Sequence, residues 1–570
     1  MQVLRIDLTT RSAAAEPAPP TWEPLGGRGL VARILLDRVP PTADPLGPRN
    51  VLIFAPGLLV GHRLSSTDRI SIGGKSPLTG GVKESNAGGR TGWAIAHLGY
   101  KAVLLEGRAP QGTWWVVHVS AQGVRFDPAD DLVGLGTYAT AARLRERYGD
   151  DARIAAALIG PAGERRLRAA GIANTDQDGV PSRLAARGGL GAVMGSKGVK
   201  AIVFDPRGGH EPPLADPAAF KAARKAYIQA LLAHPQTKTY ETFGTAAMVN
   251  MCNAFGGLPT RNFSQGQFEA AERISGEALR QLILARDGEG APAHACMAGC
   301  SIRCSNIVPD PQGRAVVSPL EYETIGLMGS NLGLDDLDVI AQLNYHANDL
   351  GLDTIDLGAA LGVAADAGLW TFGTATQALA LVQQIYDDTA LGRLLGSGAA
   401  LTGRALGVER IPAVKGQAIS AYDPRAIKGT GVTYATSPQG ADHTAGLTIR
   451  AQVDHLDPTV QVPVSRTAQL KMAGYDTLGA CIFAGFGYAA APEVVPALLR
   501  ARYGWPVGDD VLVQLGRETI RLERAFNRAA GFTAAHDRLP EWMTREPLLP
   551  HEAVFDVPPA DLDRVWADLA

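Results

Sequence analysis

Cys296-Met-Ala-Gly-Cys300-Ser-Ile-Arg-Cys304 holds three of the five cysteines of the chain, and a fourth cysteine closes the distant stretch Asp476-Thr-Leu-Gly-Ala-Cys481. A chain of 570 residues that otherwise almost avoids cysteine predicts thiolate ligation of a soft metal centre at this cluster. Two other interpretations must be weighed. Buried free cysteines behave as small hydrophobes, and thiols can also pair as disulfides.

The surroundings of these cysteines favour the metal centre. Gly299, Ser301 and Arg303 are too polar for a core stripe, and the odd, sparse cysteine content indicates a reducing compartment where disulfides are rare. Structural zinc usually takes paired Cys-x2-4-Cys knuckles, whereas three close thiolates plus a distant one are typical of a 4Fe-4S cluster. We therefore expect these four cysteines to bind a 4Fe-4S cluster.

Composition limits the other possible functions. A hydrophobic content of 46% and a charged content of 19% are those of a globular protein with a large core and several domains. The formal net charge of -3 provides no basic field for nucleic acid. The N-terminus lacks a signal-peptide pattern, and no uninterrupted apolar stretch could span a bilayer. We expect a cytoplasmic protein with neither a nucleic-acid nor a membrane partner.

The pattern of apolar residues in the sequence changes near residue 208. Before that point, short strand-like runs alternate with glycine turns at 50–54, 101–105, 114–118 and 199–204. A proline-rich, polar segment follows, and apolar residues then recur at helical spacing in 218–233, 337–350, 376–391, 493–503 and 509–528. The pattern predicts an α+β protein whose domains are a β-rich unit at 1–208 and two mostly α-helical units at 209–412 and 413–570.

Two glycine-rich motifs resemble nucleotide sites but fail in detail. The stretch 71–76 would need a glycine at position 69, which is Arg69, to be a phosphate-binding P-loop. The stretch 189–194 ends in Met194 and lacks the surrounding βαβ pattern of a dinucleotide site. Turns that carry donors such as Arg69, Asn86 and Arg187 could still accept a phosphorylated organic cofactor through backbone N–H groups. They could equally be plain turns.

One short motif occurs twice, as Asn348-Asp-Leu-Gly-Leu-Asp353 and Asp476-Thr-Leu-Gly-Ala-Cys481. Two copies in two helical regions suggest two equivalent ligands. Here the chain resembles the aldehyde:ferredoxin oxidoreductase family of tungsten enzymes, in which a pair of Asp-x-x-Gly-Leu-[Cys/Asp] motifs holds two molybdopterin cofactors. The resemblance runs nearly end to end and includes Leu25-Gly-Gly-Arg-Gly-Leu30, Ser76-Pro-Leu-Thr-Gly80, Asn86-Ala-Gly-Gly89, Tyr100-Lys-Ala, Arg187-Gly-Gly-Leu-Gly191, Glu321-Tyr-Glu-Thr324 and Gly440-Ala-Asp-His443.

The resemblance implies how the cofactors are held. The β-rich domain would bind the pterins, the helical domains would close over them, and dithiolene sulfurs of the cofactor would hold tungsten or molybdenum. Arg69 and Asn86 would lie at the pterin and phosphate surface. The Asn86 backbone and the loop Ala186, Arg187 and Gly188 would contact a Mg²⁺ ion that bridges the phosphates.

The resemblance also assigns the repeated motif. Asn348, Asp353 and Asp476 would accept hydrogen bonds from pterin ring donors, a role that suits carboxylates, and Gly479 belongs to the second copy. Asn348 stands where the pattern prefers aspartate, so that contact would keep an acceptor and lose a charge. Cys481 would complete the cluster. The run from Cys296 to Cys304 has one residue more than the family pattern Cys-x2-Cys-x3-Cys, and we expect a loop to absorb it.

Aldehyde oxidation adds a water oxygen and removes two electrons and two protons, so the site needs proton acceptors. By the resemblance these are Glu321 or Glu323 together with His443. Their spacing places the two glutamates on different sides, so one is expected to be catalytic while the other starts a helix. His443 could also be a satisfied core histidine, although its chemistry near neutral pH suits proton exchange.

Three functions are consistent with these patterns. The leading one is a tungsten or molybdenum bis-molybdopterin enzyme that oxidises a small aldehyde and passes electrons to ferredoxin or an iron-sulfur partner subunit, as a homodimer or hetero-oligomer. The second keeps the scaffold but reduces another substrate, such as an aromatic thioester or a carboxylic acid. The third is a non-catalytic electron-transfer module.

Overall fold

The computed structural model describes residues 1–569. Its N-terminal part contains a six-stranded mixed sheet with the strand order β2-β1-β6-β3-β4-β5. Strand β1 runs parallel to β6, and the other neighbours are antiparallel. The strands are β1 Gln2–Asp7, β2 Ser12–Pro17, β3 Leu52–Pro56, β4 Ile70–Lys75, β5 Val82–Ala87 and β6 Tyr100–Glu106.

A second six-stranded sheet repeats this topology. Read from its edge, the order is β8-β7-β12-β9-β10-β11, so that each strand corresponds to the one six positions earlier. The parallel pair is again the first strand with the last, β7 with β12. The sequence predicted no such duplication beyond the short repeated motif. The strands are β7 Trp115–Ser120, β8 Gly123–Pro128, β9 Ala155–Leu158, β10 Ile172–Asn174, β11 Arg183–Ala185 and β12 Val199–Asp205.

The two sheets share one apolar layer. Phe54 of the first sheet and Phe204 of the second bury their rings 6.0 Å apart within a common core. Five helices accompany the sheets, and the outer faces form separate cores under α1 and α3. They are α1 Gly27–Arg38, α2 Thr91–His97, α3 Thr137–Tyr148, α4 Pro161–Glu164 and α5 Leu190–Ser196.

The rest of the chain is mostly helical. A small three-stranded sheet and a two-stranded ribbon interrupt it, at β13 Ala291–His294, β14 Ser305–Pro309, β15 Ala315–Val317, β16 Ala413–Val414 and β17 Gln417–Ala418. Its helices are α6 Pro217–Ala233, α7 Pro235–Phe243, α8 Met248–Ala254, α9 Gly276–Arg286, α10 Tyr322–Met328, α11 Leu337–Leu350, α12 Thr354–Asp366, α13 Ala375–Tyr386, α14 Ala390–Leu395, α15 Ala399–Leu406, α16 Lys428–Thr436, α17 Gln461–Leu478, α18 Gly485–Ala490, α19 Val494–Tyr503, α20 Val511–Ala529 and α21 Pro559–Arg564.

The predicted fold class is confirmed, since β-rich sheets precede a helical region. One predicted helix differs: 376–391 is divided into α13 and α14, because Asp388 takes a left-handed φ of 56° that a helix cannot continue through. The domain limits at 208 and 412 stay predictions. Among residues 1–569 no single helix is long and apolar enough to cross a membrane, although the bent pair 482–490 and 494–503 passes that test jointly.

Candidate functional site

Both copies of the repeated motif end a helix. Helix α11 stops at Gly351 and α17 at Gly479, and both glycines are left-handed, with φ of 75° and 80°. The next residue then donates its N–H back into the helix, from Leu352 to Ala347 at 2.8 Å and from Ala480 to Tyr475 at 2.9 Å. This arrangement is a Schellman-type cap, which favours glycine because it requires a positive φ. The motif therefore contains glycine because the cap at the end of the helix requires a positive φ.

Each copy docks on one of the two duplicated sheets. The Leu58 N–H donates to the Thr477 carbonyl of the second copy at 3.1 Å, and the Gly171 N–H donates to the Gly351 carbonyl of the first at 2.9 Å. A Cβ added at Gly57 would overlap the backbone of Gly479, and one added at Gly160 would overlap the backbone of Leu350. Both glycines follow the equivalent strands β3 and β9. The two motif ends are thus held at matching positions.

Gly57→Ala should consequently destabilise the protein. The new methyl group would have to displace the backbone of Gly479, so we expect the free energy of unfolding to fall by about 3 kcal/mol. Scanning calorimetry should show the lowered Tm. Gly508→Ala is the matched control, because there the added Cβ meets only the Asp510 carboxylate. Equal Tm values for the two variants would contradict the docking contact.

A cavity of about 380 Å³ lies where the sheets, the motif ends and the helical region meet. Most of the predicted site residues line it. Those in its wall are Arg69, Asn86, Ala186, Arg187, Cys296, Cys304, Glu321, Glu323, Asn348, Asp353, His443, Asp476 and Cys481. Gly188, Cys300 and Gly479 are adjacent to wall residues in the chain or in the cysteine run but do not line the cavity.

At the first motif, Arg187 is buried among acceptors. Its Nε donates to Asp353 Oδ2 at 3.2 Å, and its Nη1 donates to the Ser420 hydroxyl and the Ala441 carbonyl. Asp353 also caps α12 by accepting the Ile355 N–H. Buried carboxylates raise the net pKa of Arg187 although burial itself lowers it, so the guanidinium stays charged. Arg187 is therefore tied to the motif, besides lying beside the predicted phosphate loop.

At the second motif, a buried network not predicted from sequence holds Asp476. Arg28 forms a bidentate pair with Glu523 at 2.8 and 2.9 Å, and its Nη1 lies 3.3 Å from Asp476 Oδ2. Burial and the neighbouring Glu84 carboxylate raise the pKa of Asp476 well above its usual range. The quoted Gly-Gly-Arg-Gly segment held the only sequence signal for Arg28, and Glu523 had none. Arg69 lies between this network and the thiols, with its guanidinium donating to Asn86.

The structure separates the two glutamates that spacing left ambiguous. Glu323 Oε1 lies 3.3 Å from His443 Nε2, and Glu323 Oε2 accepts the Ala421 N–H at 2.7 Å. His443 Nδ1 lies 3.1 Å from the Ser420 hydroxyl. Burial raises the pKa of Glu323, and the His443 ring opposes the shift. Both ring nitrogens of His443 thus face polar groups, and Glu323 with His443 forms a candidate proton-transfer pair.

Glu321 faces another part of the cavity. It is the residue before α10 and accepts a hydrogen bond from the Thr245 hydroxyl. Burial raises its pKa, while Arg183 is among the groups that lower it. Burial is the main cause that raises the pKa of Cys304, and the Glu321 carboxylate is the next largest. Glu321 therefore belongs to the cysteine side and Glu323 to the histidine side.

Cys296, Cys300, Cys304 and Cys481 are all free thiols, and all but Cys300 line the cavity. A hydrogen bond from Cys296 is the main cause that lowers the pKa of Cys300 to about 5, and the same pairing raises that of Cys296. The Ser66 hydroxyl lies 3.5 Å from Cys300 Sγ, and the Ser66 carbonyl accepts the Cys481 N–H at 2.8 Å. Such a thiol is readily converted to the thiolate that a metal centre requires.

The additional residue between Cys296 and Cys300 is taken up by a turn. The Cys300 N–H donates to the Met297 carbonyl at 3.3 Å, and Gly299 has a φ of 78°, as the third residue of a type II turn requires. Within residues 1–569 no three of the thiols have sulfur atoms within 4.8 Å of one another. Three thiolates of a tetrahedral zinc site would lie about 3.8 Å from one another, so these thiols do not already form such a site.

The residues of the cavity suit a phosphorylated pterin and a cluster. Buried acceptors at Asp353, Asp476 and Glu84 match the amino and ring N–H groups of a pterin, and Arg69 and Arg187 provide cationic donors. Cys252, by contrast, is buried in the apolar core away from the other thiols. The cavity therefore brings together hydrogen-bond acceptors, cationic donors and thiols.

Comparison with protein families gives two matches that together cover most of the chain. Residues 3–206 match the N-terminal domain of aldehyde ferredoxin oxidoreductase, and residues 221–565 match its domains 2 and 3. A tungsten-containing aldehyde ferredoxin oxidoreductase of Pyrococcus abyssi is 32% identical over 96% of this chain and 92% of its own length. The enzyme of the same name from Thermococcus kodakarensis is also 32% identical, over 96% and 91%.

More distant relatives have other activities. The WOR-like subunit of an aliphatic sulfonate oxidoreductase from Pyrococcus furiosus is 26% identical over 80% of this chain and 74% of its own. Among solved structures, the active-site complex BamBC of benzoyl coenzyme A reductase with 1,5-dienoyl-CoA superposes with a TM-score of 0.79. It covers 95% of this chain and 90% of its own at 19% identity, a likeness of fold alone.

Proposed function

The chain belongs to the aldehyde ferredoxin oxidoreductase family, and from this we propose that it is a tungsten- or molybdenum-containing bis-molybdopterin enzyme that oxidises small aldehydes to carboxylic acids. A single observation carries the proposal. One cavity contains both motif ends, the Glu323–His443 pair and three of the four clustered thiols. An oxidation that releases protons and electrons requires these three elements together.

Specific residues would hold the cofactors. Asn348, Asp353 and Asp476 would accept hydrogen bonds from the two pterins, with Arg69 and Asn86 at the phosphates. The loop Ala186, Arg187 and Gly188, with the Asn86 backbone, would hold a Mg²⁺ ion that neutralises phosphate charge. The metal centre would supply the two-electron redox chemistry when bound.

His443 and Glu323 are proposed to handle the protons. Their 3.3 Å separation lets one hold a proton while the other remains free to accept the next. Burial around Glu323 raises its pKa, which favours reversible protonation nearer neutral pH than an exposed glutamate allows. The Ser420 hydroxyl at His443 Nδ1 orients the ring.

The thiols are proposed to hold the route for electrons. Cys296, Cys300, Cys304 and Cys481 would bind a 4Fe-4S cluster, and Arg69 would connect it with the pterin side. Electrons would leave to ferredoxin or to an iron-sulfur partner subunit, and relatives that are named as subunits of complexes support a hetero-oligomer. Free thiols accord with a cytoplasmic location.

The proposal is tested by elemental analysis of anaerobically purified protein together with a panel of aldehydes and a redox dye. We expect about one tungsten or molybdenum atom and about four iron atoms per chain, with dye reduction by simple aldehydes. Pterin and metal without aldehyde oxidation would instead support a reductase of another substrate, such as an aromatic thioester or carboxylic acid. Iron without tungsten, molybdenum or pterin would support an electron-transfer module.

A further inference from the structure

The duplicated sheets each contain a buried lysine at the same position. One of the two forms an ion pair with a carboxylate, and the other does not. Lys101 and Lys200 occupy the same position, each at the register shift where the last strand of its sheet meets the first. Lys200 donates to the Leu135 carbonyl at 2.9 Å and forms a salt bridge with Glu164. Lys101 donates to the Glu23 carbonyl at 3.0 Å. In the described chain no carboxylate oxygen lies within 4.0 Å of its ammonium group.

A second buried cation lies close to Lys101. Arg502 of α19 is 7% exposed, and its Nε has no hydrogen-bond partner in the described chain, while its Nη1 donates to the Pro213 carbonyl. Among residues 1–569, Arg502 likewise has no carboxylate oxygen within 4.0 Å. Burial lowers the pKa of Lys101 to about 7, Glu23 opposes the shift, and repulsion from Arg502 adds to it. Two buried cations that repel each other, neither of them in a direct ion pair with a carboxylate, are costly.

These two cations line a cavity of about 360 Å³ outside the pterin cavity. His97, Tyr503 and Gly57 also border it. The one acidic residue in the wall is Glu211, whose side chain is 66% exposed and lies 3.3 Å from His62. The space is of a size that holds a small organic ligand. Lys101 and Arg502 give the wall positive charge, and among residues 1–569 no carboxylate oxygen lies within ion-pair distance of either.

We propose that this cavity binds a small anion whose phosphate or carboxylate group is held between Lys101 and Arg502. A dianionic or monoanionic oxygen group would supply the counter-charge that Glu164 supplies to Lys200, and it would accept the unused donors of both side chains. The remaining volume accommodates an organic part of the ligand. The proposal does not depend on which reaction the pterin cavity carries out.

Calorimetric titration of the purified holoenzyme with inorganic phosphate and, separately, with acetate tests the proposal. We expect one saturable site per chain, with the tighter probe identifying the anchoring group. Lys101→Met and Arg502→Gln should each weaken binding at least tenfold. Lys221→Met removes an exposed lysine of α6 and should bind as the unaltered protein does.

Circular dichroism verifies that each variant is folded, and if one of the two site variants fails to fold, the other decides. Absence of saturable binding of both anions to the unaltered protein would overturn the proposal. Unchanged affinity in a folded Lys101→Met or Arg502→Gln variant would overturn it as well, since the anion would then bind elsewhere.

Discussion

His443→Ala is expected to lower kcat for aldehyde oxidation by a factor of about 10² to 10⁴, the range typical for loss of a positioned acid or base. His443 contacts Glu323 at 3.3 Å and Ser420 at 3.1 Å, so its removal breaks both links of the proton-transfer pair. Steady-state kinetics should show the loss in kcat, with tungsten or molybdenum content unchanged by elemental analysis.

Matched variants separate this effect from a structural one. Glu323→Gln keeps the shape of the pair while removing its charge, and it should resemble His443→Ala. Glu321→Gln should retain most of kcat, because Glu321 contacts Thr245 and the cysteine side instead. His455→Ala removes a buried histidine that does not line the cavity and serves as the control. Unaltered kcat in metal-loaded His443→Ala would refute the catalytic role.

Cys481→Ser is expected to cause the largest change in electron transfer. The thiol ends the second motif and is the distant member of the predicted ligand set, so a serine should lose most of the iron and nearly all turnover with an iron-sulfur acceptor. Iron analysis and low-temperature electron paramagnetic resonance of the dithionite-reduced protein provide the measurement. Loss of the reduced-cluster signal should accompany loss of iron.

Cys252→Ser is the control for this variant. Cys252 is fully buried in the apolar core, so the substitution should cost about 1–2 kcal/mol of stability by burying a hydroxyl, while iron and signal persist. A Cys481→Ser protein with full iron content and an unchanged signal would show that the cluster has another fourth ligand.

Local patterns predicted the elements well because their signals are local. Helical spacing located α11 at 337–350 as observed, and the strand near 199–204 is present as β12. The break between α13 and α14 was missed, since a single aspartate with a left-handed φ leaves no periodic signal. The duplication of the sheets was missed for a similar reason: it is a repeat of topology, with few residues in common.

In the candidate site, too, local sequence signals predicted some features, and contacts between distant segments decided the others. Residue type and spacing predicted the cysteine site, and the family resemblance predicted Glu321 or Glu323 together with His443, but neither distinguished Glu321 from Glu323. The direction of each side chain at the start of α10 separates them, and that direction depends on which elements pack against the helix. Arg28 and Glu523 are 495 residues apart, and no sequence pattern relates them.

The sequence by itself therefore determined the family, the cysteine run and the glycines that end α11 and α17. Each of these depends on neighbouring residues whose chemistry or backbone conformation is constrained locally. Only the tertiary structure decided that the two motif ends dock at matching positions of duplicated sheets, that His443 pairs with Glu323, and that Lys101 lacks the carboxylate that Lys200 has. These contacts join segments that are distant in the sequence. They affect stability and chemistry because they are buried in an interior of low dielectric constant.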